Sequence, residues 1–198
     1  MLTLAVQAGG LSSRMGQDKG LVKLAGIPLI EHALKRLNGV ADETIITSNN
    51  PDSYRYLKLP IASDKVPGAG ALAGLQTALR AAKGDFVFVV ACDMPLVNRQ
   101  LVKFIVSQAN DADLVIPLFN DRYQPFHALY RRDTGLKAIE QSISDNQRRM
   151  ISIHSKLKVR EIQSIEFEDI DPLGDSFVNV NDPQELAQLE KKLAASIR

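Results

Sequence analysis

The chain opens with a short apolar run, LTLAVQ (residues 2–7), followed directly by the glycine-rich segment AGGLSSRMGQDKG (residues 8–20). A short apolar run that ends at glycines is typical of a strand buried on both faces of a parallel sheet. The glycine-rich segment then begins at the carboxyl end of that strand, which is where open α/β sheets bind their ligands. This start predicts an α/β fold with a binding loop after its first strand.

Strands and helices alternate through the first part of the chain. In chain order we expect a helix from Pro28, strands at 43–48 and 59–63, a helix around 72–82, a strand in FVFVVACDMPL (86–96), a helix in RQLVKFIVSQA (99–109) and a strand at 113–117. Gly84 is the expected stop of the helix around 72–82. Alternation of this kind predicts a three-layer α/β/α, Rossmann-like fold with a mostly parallel central sheet.

The pattern is less regular beyond residue 120. We expect a strand in FHALYRR (126–132), short helices at 135–143 and 147–155, an edge strand in VREIQSIEF (159–167) and a last helix in NDPQELAQLEKKL (181–193). Asp182, Pro183 and Glu185 supply the cap, the first-turn proline and the third-position glutamate of that last helix. No linker or internal repeat divides the chain, so a single domain over residues 1–198 is predicted.

Composition excludes several classes of protein. The 24 Lys and Arg residues nearly balance the 23 Asp and Glu residues, and the net charge of +1 creates no field that would attract nucleic acid or an anionic membrane. The single cysteine, Cys92, excludes an internal disulfide framework and a cysteine-rich zinc site. No apolar run is long enough to span a bilayer, and no basic region precedes an apolar one at the N-terminus. We therefore expect a cytoplasmic enzyme or binding protein.

The first loop contains the parts of a phosphate site. Its glycines let backbone N–H groups turn toward an anion, and Arg14 and Lys19 can neutralise charge that the backbone leaves uncompensated. The spacing matches neither the P-loop nor the dinucleotide-binding G-x-G-x-x-G template. A flexible surface loop of similar composition is the alternative, and the position after a buried strand favours the phosphate site.

Asp93 follows the most apolar strand in the chain. A carboxylate at that strand end faces the same crevice as the first loop, and Mg²⁺ is commonly held by one or two carboxylates together with substrate phosphates. Asp93 is therefore the candidate metal ligand. An N-cap or turn aspartate is the alternative, and the neighbouring Cys92 is interpreted as a small core residue.

Three further segments contain polar residues that could bind a nucleotide. Asp64 precedes a glycine-rich connection to a helix and could accept hydrogen bonds from a base or a sugar, or could belong to a simple loop. Asn49 could contact a base or cap a turn. Asn179 and Asn181 alternate, so both would point to one face of a strand and could orient a substrate or a metal-bound water; alternatively, Asn181 caps the last helix.

These segments together resemble the molybdenum cofactor guanylyltransferases, the MobA family of nucleotidyltransferases, over the whole chain. Family members have a first loop of the form L-A-G-G-x-S-x-R-M-G-x-D-K, which here stands as QAGGLSSRMGQDK (7–19). The resemblance continues in GIPLIEH (26–32), GALAGL (70–75), CDMP (92–95) and FVNVNDPQEL (177–186).

The resemblance implies transfer of GMP from GTP to the terminal phosphate of molybdenum–molybdopterin, with Mg²⁺ as cofactor and pyrophosphate as product. The N-terminal part would bind the nucleotide and the C-terminal part molybdopterin, with transient contacts to cofactor donor and acceptor proteins. The implied binding residues are Gln7, Ala8, Gly9, Gly10, Lys19, Thr47, Asn49, Asp64, Asp93, Asn179 and Asn181. The implied catalytic residues are Arg14, Lys19 and Asp93, with Asp93 holding the metal. Gln7 stands where the family usually has leucine, and either Thr47 or Asn49 matches the family's asparagine in that turn.

Two other classes remain open at this point. A molybdenum cofactor cytidylyltransferase or a sugar-phosphate nucleotidyltransferase would share much of the pattern, and Gly9-Gly10 favours guanine by resemblance. A non-catalytic nucleotide-binding relative is disfavoured because it would have no chemical need for Arg14, Lys19 and Asp93 together.

Overall fold

A computed structural model describes residues 1–8, 17–64 and 70–196. The predicted site residues Gly9, Gly10 and Arg14 lie outside the described residues. Within the described ranges no helix has both the length and the apolar character needed to cross a membrane.

The described residues form ten strands and five α-helices. The strands are β1 (Leu2–Gln7), β2 (Lys23–Leu24), β3 (Ile27–Pro28), β4 (Glu43–Thr47), β5 (Ile61–Ala62), β6 (Phe86–Ala91), β7 (Leu114–Phe119), β8 (Arg122–Tyr123), β9 (His127–Arg131) and β10 (Val159–Gln163). The helices are α1 (Leu29–Arg36), α2 (Ala71–Ala81), α3 (Arg99–Ser107), α4 (Arg132–Ser144) and α5 (Pro183–Ser196). Short 3-10 helices occupy Lys19–Leu21, Pro51–Leu57, Met150–Lys156, Ser164–Glu166 and Asp175–Phe177.

One sheet dominates the fold, with strand order β10-β7-β9-β6-β1-β4-β5 and β8 paired to β7. β1 runs parallel to both of its neighbours, β4 and β6, and the β4–β5 and β7–β10 pairs are also parallel. Only β8 and β9 pair antiparallel to their neighbours in this sheet. The mostly parallel sheet predicted from the sequence is confirmed, and β10 is the edge strand expected for VREIQSIEF.

Two apolar cores on opposite faces of the sheet create the three layers. Residues of β1 alternate between them, because Leu4 and Val6 join one core while Ala5 joins the other. Apolar residues of α1 and α3 complete the first core, and those of α2 and α4 complete the second. Near-continuous apolar strands are expected for a sheet covered on both sides, and this explains why LTLAVQ and FVFVVA contain so few polar residues.

The helix boundaries match the sequence in most places and differ in two. Residues 150–156 form a 3-10 helix in place of the α-helix expected at 147–155. Helix α2 ends at Ala81, and its C-cap is Ala82 in an extended conformation, so Gly84 is not the helix stop. A Cβ on Gly84 would lie 2.8 Å from the carbonyl oxygen of Met1 and from the amide nitrogen of Thr3. Gly84 is needed because two backbone segments meet there, and that contact between distant segments leaves no mark in the local pattern.

Helix α5 begins as its sequence predicts. The Asp182 carboxylate accepts hydrogen bonds from the backbone N–H groups of Gln184 and Glu185, both at 2.9 Å. The Glu185 carboxylate reaches back to the backbone N–H of Asn181 at 2.6 Å. These bonds satisfy N–H groups that a helix start leaves without partners, and they fix the chain just before the helix.

Candidate active site

Several of the predicted residues that the structure describes lie at the carboxyl edge of the sheet, around the end of β1. Gln7 lies opposite Thr47 of β4 on one side and Ala91 of β6 on the other. The chain runs outward from β1 to β4 and β5, then returns across β1 to β6, with α1 and α2 on opposite faces. Such a reversal of strand order is the usual ligand crevice of an open α/β sheet.

Lys19, Asp93 and Asn181 meet in this crevice. The Lys19 Nζ lies 3.0 Å from Asp93 Oδ2 and 2.7 Å from Asn181 Oδ1. The side chains of Lys19 and Asp93 keep only 24% and 12% of their surface exposed, so the ammonium and carboxylate interact in a partly dry environment. A cation, a carboxylate and an amide oxygen from three separate segments therefore form one polar cluster.

Asp18 and Tyr54 fix the backbone next to Lys19. The Asp18 carboxylate caps the 3-10 helix that begins at Lys19 by accepting from the Gly20 N–H at 3.1 Å, and it also accepts from the Tyr54 hydroxyl. Burial, together with this hydrogen bond, raises the pKa of Tyr54 far above its usual range, so the hydroxyl remains a donor. A Cβ on Gly20 would lie 2.5 Å from the Tyr54 hydroxyl oxygen, so only glycine fits beside this ring.

Asn181 reaches the cluster because its backbone is fixed on both sides. The Val180 N–H donates to the Asp93 carbonyl at 3.0 Å, which ties the segment before α5 to the end of β6. The Asn181 N–H is held by Glu185, as described above. The Asn179 side chain bonds locally instead, because its Nδ2 donates to the Phe177 carbonyl at 3.2 Å. The segment is not a strand, so the two asparagines are not brought together as their alternation suggested.

A second polar cluster forms between the turn after β4 and the residues after β5. The Asp64 Oδ2 accepts from Asn49 Nδ2 at 3.0 Å, and the Asp64 N–H donates to Asn49 Oδ1 at 3.0 Å. The Thr77 hydroxyl, from α2, donates to Asp64 Oδ1 at 2.6 Å. Thr47 is buried in β4, whereas Asn49 is exposed in the turn. Asn49 is therefore the side chain of this turn that joins Asp64.

Gln7 lies against helix α2 at the end of β1. Its Nε2 atom is buried and has no hydrogen-bond partner among the described residues. A Cβ on Gly74 of α2 would lie 3.0 Å from that nitrogen, so the glycine leaves room for the amide. Next to it, Ala8 donates its N–H to the Thr47 carbonyl at 2.8 Å and continues the pairing of β1 with β4.

Several features of the site were not evident from the sequence. Thr77, Asp18 and Tyr54 support predicted site residues, but each looks like an ordinary helix or turn residue in the sequence. The expectation for Cys92 is consistent with its surroundings, because the thiol is buried and burial raises its pKa well above the usual range. A raised pKa disfavours the thiolate, which is the nucleophilic form of cysteine.

The fold and the cluster at its carboxyl edge define an α/β nucleotidyltransferase-type protein. Comparison with known proteins makes the assignment more specific. Residues 4–159 match the MobA-like NTP transferase domain. The chain belongs to the MobA-like NTP transferase family.

Relatives match over nearly the whole chain. A probable molybdenum cofactor guanylyltransferase of Carboxydothermus hydrogenoformans is 33% identical over 190 residues, covering 96% of this chain and 95% of that protein. A protein of the same description from Clostridium perfringens is 34% identical over 193 residues, covering 95% and 96%. The crystal structure of molybdopterin-guanine dinucleotide biosynthesis protein A from Archaeoglobus fulgidus superposes with a TM-score of 0.83 at 25% identity, covering 98% of this chain and 99% of that one.

Proposed function

We propose that this chain transfers GMP from GTP to the terminal phosphate of molybdenum–molybdopterin. An oxygen of that phosphate attacks the α-phosphorus of GTP, a new P–O bond forms, and the bond to the bridging oxygen breaks to release pyrophosphate. Such a reaction depends on positioning and charge neutralisation more than on a strong base. The observation that carries the proposal is the meeting of Lys19, Asp93 and Asn181 at the carboxyl edge of the sheet in a chain of this family.

Lys19 supplies the positive charge for the phosphates. The backbone beside it is fixed by Asp18, which accepts from the Gly20 N–H and the Tyr54 hydroxyl, and the Lys19 ammonium neutralises Asp93. We propose that Arg14 acts with Lys19 on the departing pyrophosphate, and that the backbone of Gly9 and Gly10 cradles the phosphates. Loss of a cation that acts in the transition state commonly lowers the rate by about 10²- to 10³-fold.

Asp93 is the proposed Mg²⁺ ligand, and the donor set around it fits that ion. Its carboxylate and the Asn181 amide oxygen both contact one ammonium, so two hard oxygen donors already face a single cation. The described residues contain no cluster of three or more His, Cys, Asp or Glu side chains of the kind that holds a metal through protein ligands alone. A site with a single carboxylate suits an ion that keeps several waters and shares substrate phosphates. When bound, Mg²⁺ would add charge stabilisation at the reacting phosphates.

The nucleoside is proposed to lie on the other side of β1, near Gln7, Ala8, Asn49 and Asp64. Asp64 can accept hydrogen bonds from the base or the ribose, because each carboxylate oxygen has two acceptor positions and the described part of the chain occupies one on each. The Gln7 Nε2 atom, which has no hydrogen-bond partner within the described ranges, is also at this end of β1. Thr47 contributes through its backbone, since its side chain is buried.

The C-terminal part of the same single domain is proposed to bind molybdopterin, with Asn179 and Asn181 near the reacting phosphates. Transient contacts with cofactor donor and acceptor proteins, and a cytoplasmic location, complete the proposal. The near-neutral net charge of +1 supports the expectation that nucleic acid is not a partner.

The decisive experiment measures pyrophosphate release with Mg²⁺ and molybdopterin, using GTP or CTP as donor. We expect GTP to react at least about tenfold faster than CTP, and no release when molybdopterin is omitted. Equal rates with both nucleotides would contradict the guanine assignment and favour a cytidylyltransferase. Tight GTP binding without any release would favour a non-catalytic relative.

A further inference from the structure

Helix α2 contains two residues that weaken it, both on the flank that faces the proposed nucleoside side. Its sequence, ALAGLQTALRA, consists otherwise of strong helix formers, whereas Gly74 and Thr77 are poorer formers than alanine. They are three residues apart, so they lie on the same flank of the helix. Gly74 faces Gln7, and Thr77 donates to Asp64. The unfavourable residues therefore occur where the helix meets two proposed nucleoside-contacting side chains.

Thr77 makes an unusual hydrogen bond for its position. A threonine inside a helix commonly donates its hydroxyl to the carbonyl four residues earlier. Here the hydroxyl donates to Asp64 Oδ1 at 2.6 Å, across a separation of 13 residues. Helix α2 packs tightly against the core, in which its residues Leu75, Ala78 and Leu79 are all fully buried. Thr77 thus connects the Asp64 carboxylate to a fixed element of the fold.

This connection sets the orientation of Asp64. Asn49 and Asp64 exchange two hydrogen bonds, but Asn49 lies exposed in a turn and so cannot fix the carboxylate by itself. Thr77 holds the other carboxylate oxygen from the helix side. With both oxygens bonded, the plane of the carboxyl group is determined before any ligand arrives, and such preorganisation improves affinity by lowering the ordering cost of binding.

We propose that Thr77 is a positioning residue for the nucleoside, acting through Asp64, and that Gly74 is its counterpart for Gln7. The inference rests on the proposed function, which supplies the nucleotide. It extends that function by placing part of the affinity for the nucleoside in helix α2, outside the residues that touch GTP. Gly74 and Thr77 make helix α2 less stable than alanine would at these positions, but they orient the side chains that contact the ligand.

The first test compares Thr77→Val with Thr77→Ser by calorimetric titration with GTP in the absence of molybdopterin. Valine keeps the shape but removes the donor to a charged acceptor, so GTP binding should weaken about tenfold. Serine keeps the hydroxyl and should remain within about twofold of the parent. In steady-state assays Thr77→Val should raise KM for GTP and leave kcat within about twofold, since the chemistry at Lys19 and Asp93 is untouched.

The second test uses the opposite effects expected on stability and binding. Gly74→Ala should leave the Tm unchanged or raise it, because alanine is the better helix former and only the flexible end of Gln7 has to move. The same variant should weaken GTP binding by displacing the Gln7 amide. Gln76→Ala, on the same helix but outside these contacts, is the control and should change neither quantity.

Asp64→Ala separates this inference from the proposed function. If Asp64→Ala weakens GTP binding while Thr77→Val does not, the positioning role is wrong and the nucleotide site stands. If Asp64→Ala leaves GTP binding unchanged, Asp64 does not contact the nucleoside and the inference fails with that assignment. A Thr77→Val variant that loses Tm and GTP affinity together, with no rescue by serine, would indicate a purely structural role and overturn the proposal.

Discussion

The imidazole ring of His127 is buried with no hydrogen-bond partner among the described residues, and this predicts a specific loss of stability in acid. The residue begins β9, is 0% exposed, and neither ring nitrogen has a partner among the described residues. The rings of Phe88 and Phe177 contact it edge-on, with centroids 5.3 and 5.0 Å away. Burial among aromatic rings disfavours the charged imidazolium and lowers the pKa of His127 from 6.5 to about 3.

The sign and size of the effect follow from proton linkage. Between pH 6.5 and 3 the unfolded chain binds a proton at His127 and the folded protein does not, so the free energy of unfolding falls as the pH falls. Above pH 6.5 both states are neutral and the full stability is present. Each pH unit inside the window is worth about 1.4 kcal/mol, so lowering the pH from 7.5 to 5.0 should remove about 2 kcal/mol through this residue alone.

Urea unfolding of the parent and of His127→Leu at pH 7.5 and 5.0 measures this contribution. Other titrating groups are common to both proteins, so the parent should lose about 2 kcal/mol more than the variant between the two pH values. His154→Leu is the comparison, because half-burial lowers the pKa of His154 while Glu161 opposes the shift. Its removal should change the pH dependence less. Equal losses in the parent and in His127→Leu would show that His127 does not cause the loss of stability in acid.

Three further outcomes are expected. Lys19→Ala and Asp93→Ala should each nearly abolish GTP-dependent pyrophosphate release with the fold retained. Lys23→Ala, at an exposed position, is the control and should retain pyrophosphate release. Full activity in Lys19→Ala or Asp93→Ala would contradict the site assignment. In the absence of nucleotide, Lys19→Met should bind Mn²⁺ about tenfold more tightly than Lys23→Met, because the Lys19 ammonium no longer competes for Asp93. Electron paramagnetic resonance measures the Mn²⁺ affinity. Equal affinities would show that the Lys19–Asp93 ion pair does not oppose metal binding. Gly84→Ala should lower the free energy of unfolding by about 2 kcal/mol or more in urea titrations, since the new Cβ would overlap backbone atoms of Met1 and Thr3. An unchanged urea midpoint would mean that the backbone relaxes around the added methyl group.

The layered α/β fold, and the edge of the sheet at which the site lies, were predictable from local sequence patterns. Buried strands such as LTLAVQ and FVFVVA have a local apolar pattern, and the residues after them must emerge at the carboxyl ends of parallel strands. For this reason the sequence predicts that Lys19 and Asp93 lie in one crevice. The capped start of α5 was also predictable, because its signals lie within four residues of one another.

Which polar residues meet depends on how distant segments of the chain pack together. Lys19 and Asn181 are 162 residues apart, and their 2.7 Å contact depends on how the segment before α5 is tied to the end of β6. Asn179 looked equivalent to Asn181 in the sequence but turns to a neighbouring carbonyl. Gly84 and Thr77 matter because of distant segments that pack against them. Hydrophobic periodicity records which face of an element is buried, whereas the partners of a polar side chain are set by long-range packing that no local pattern records.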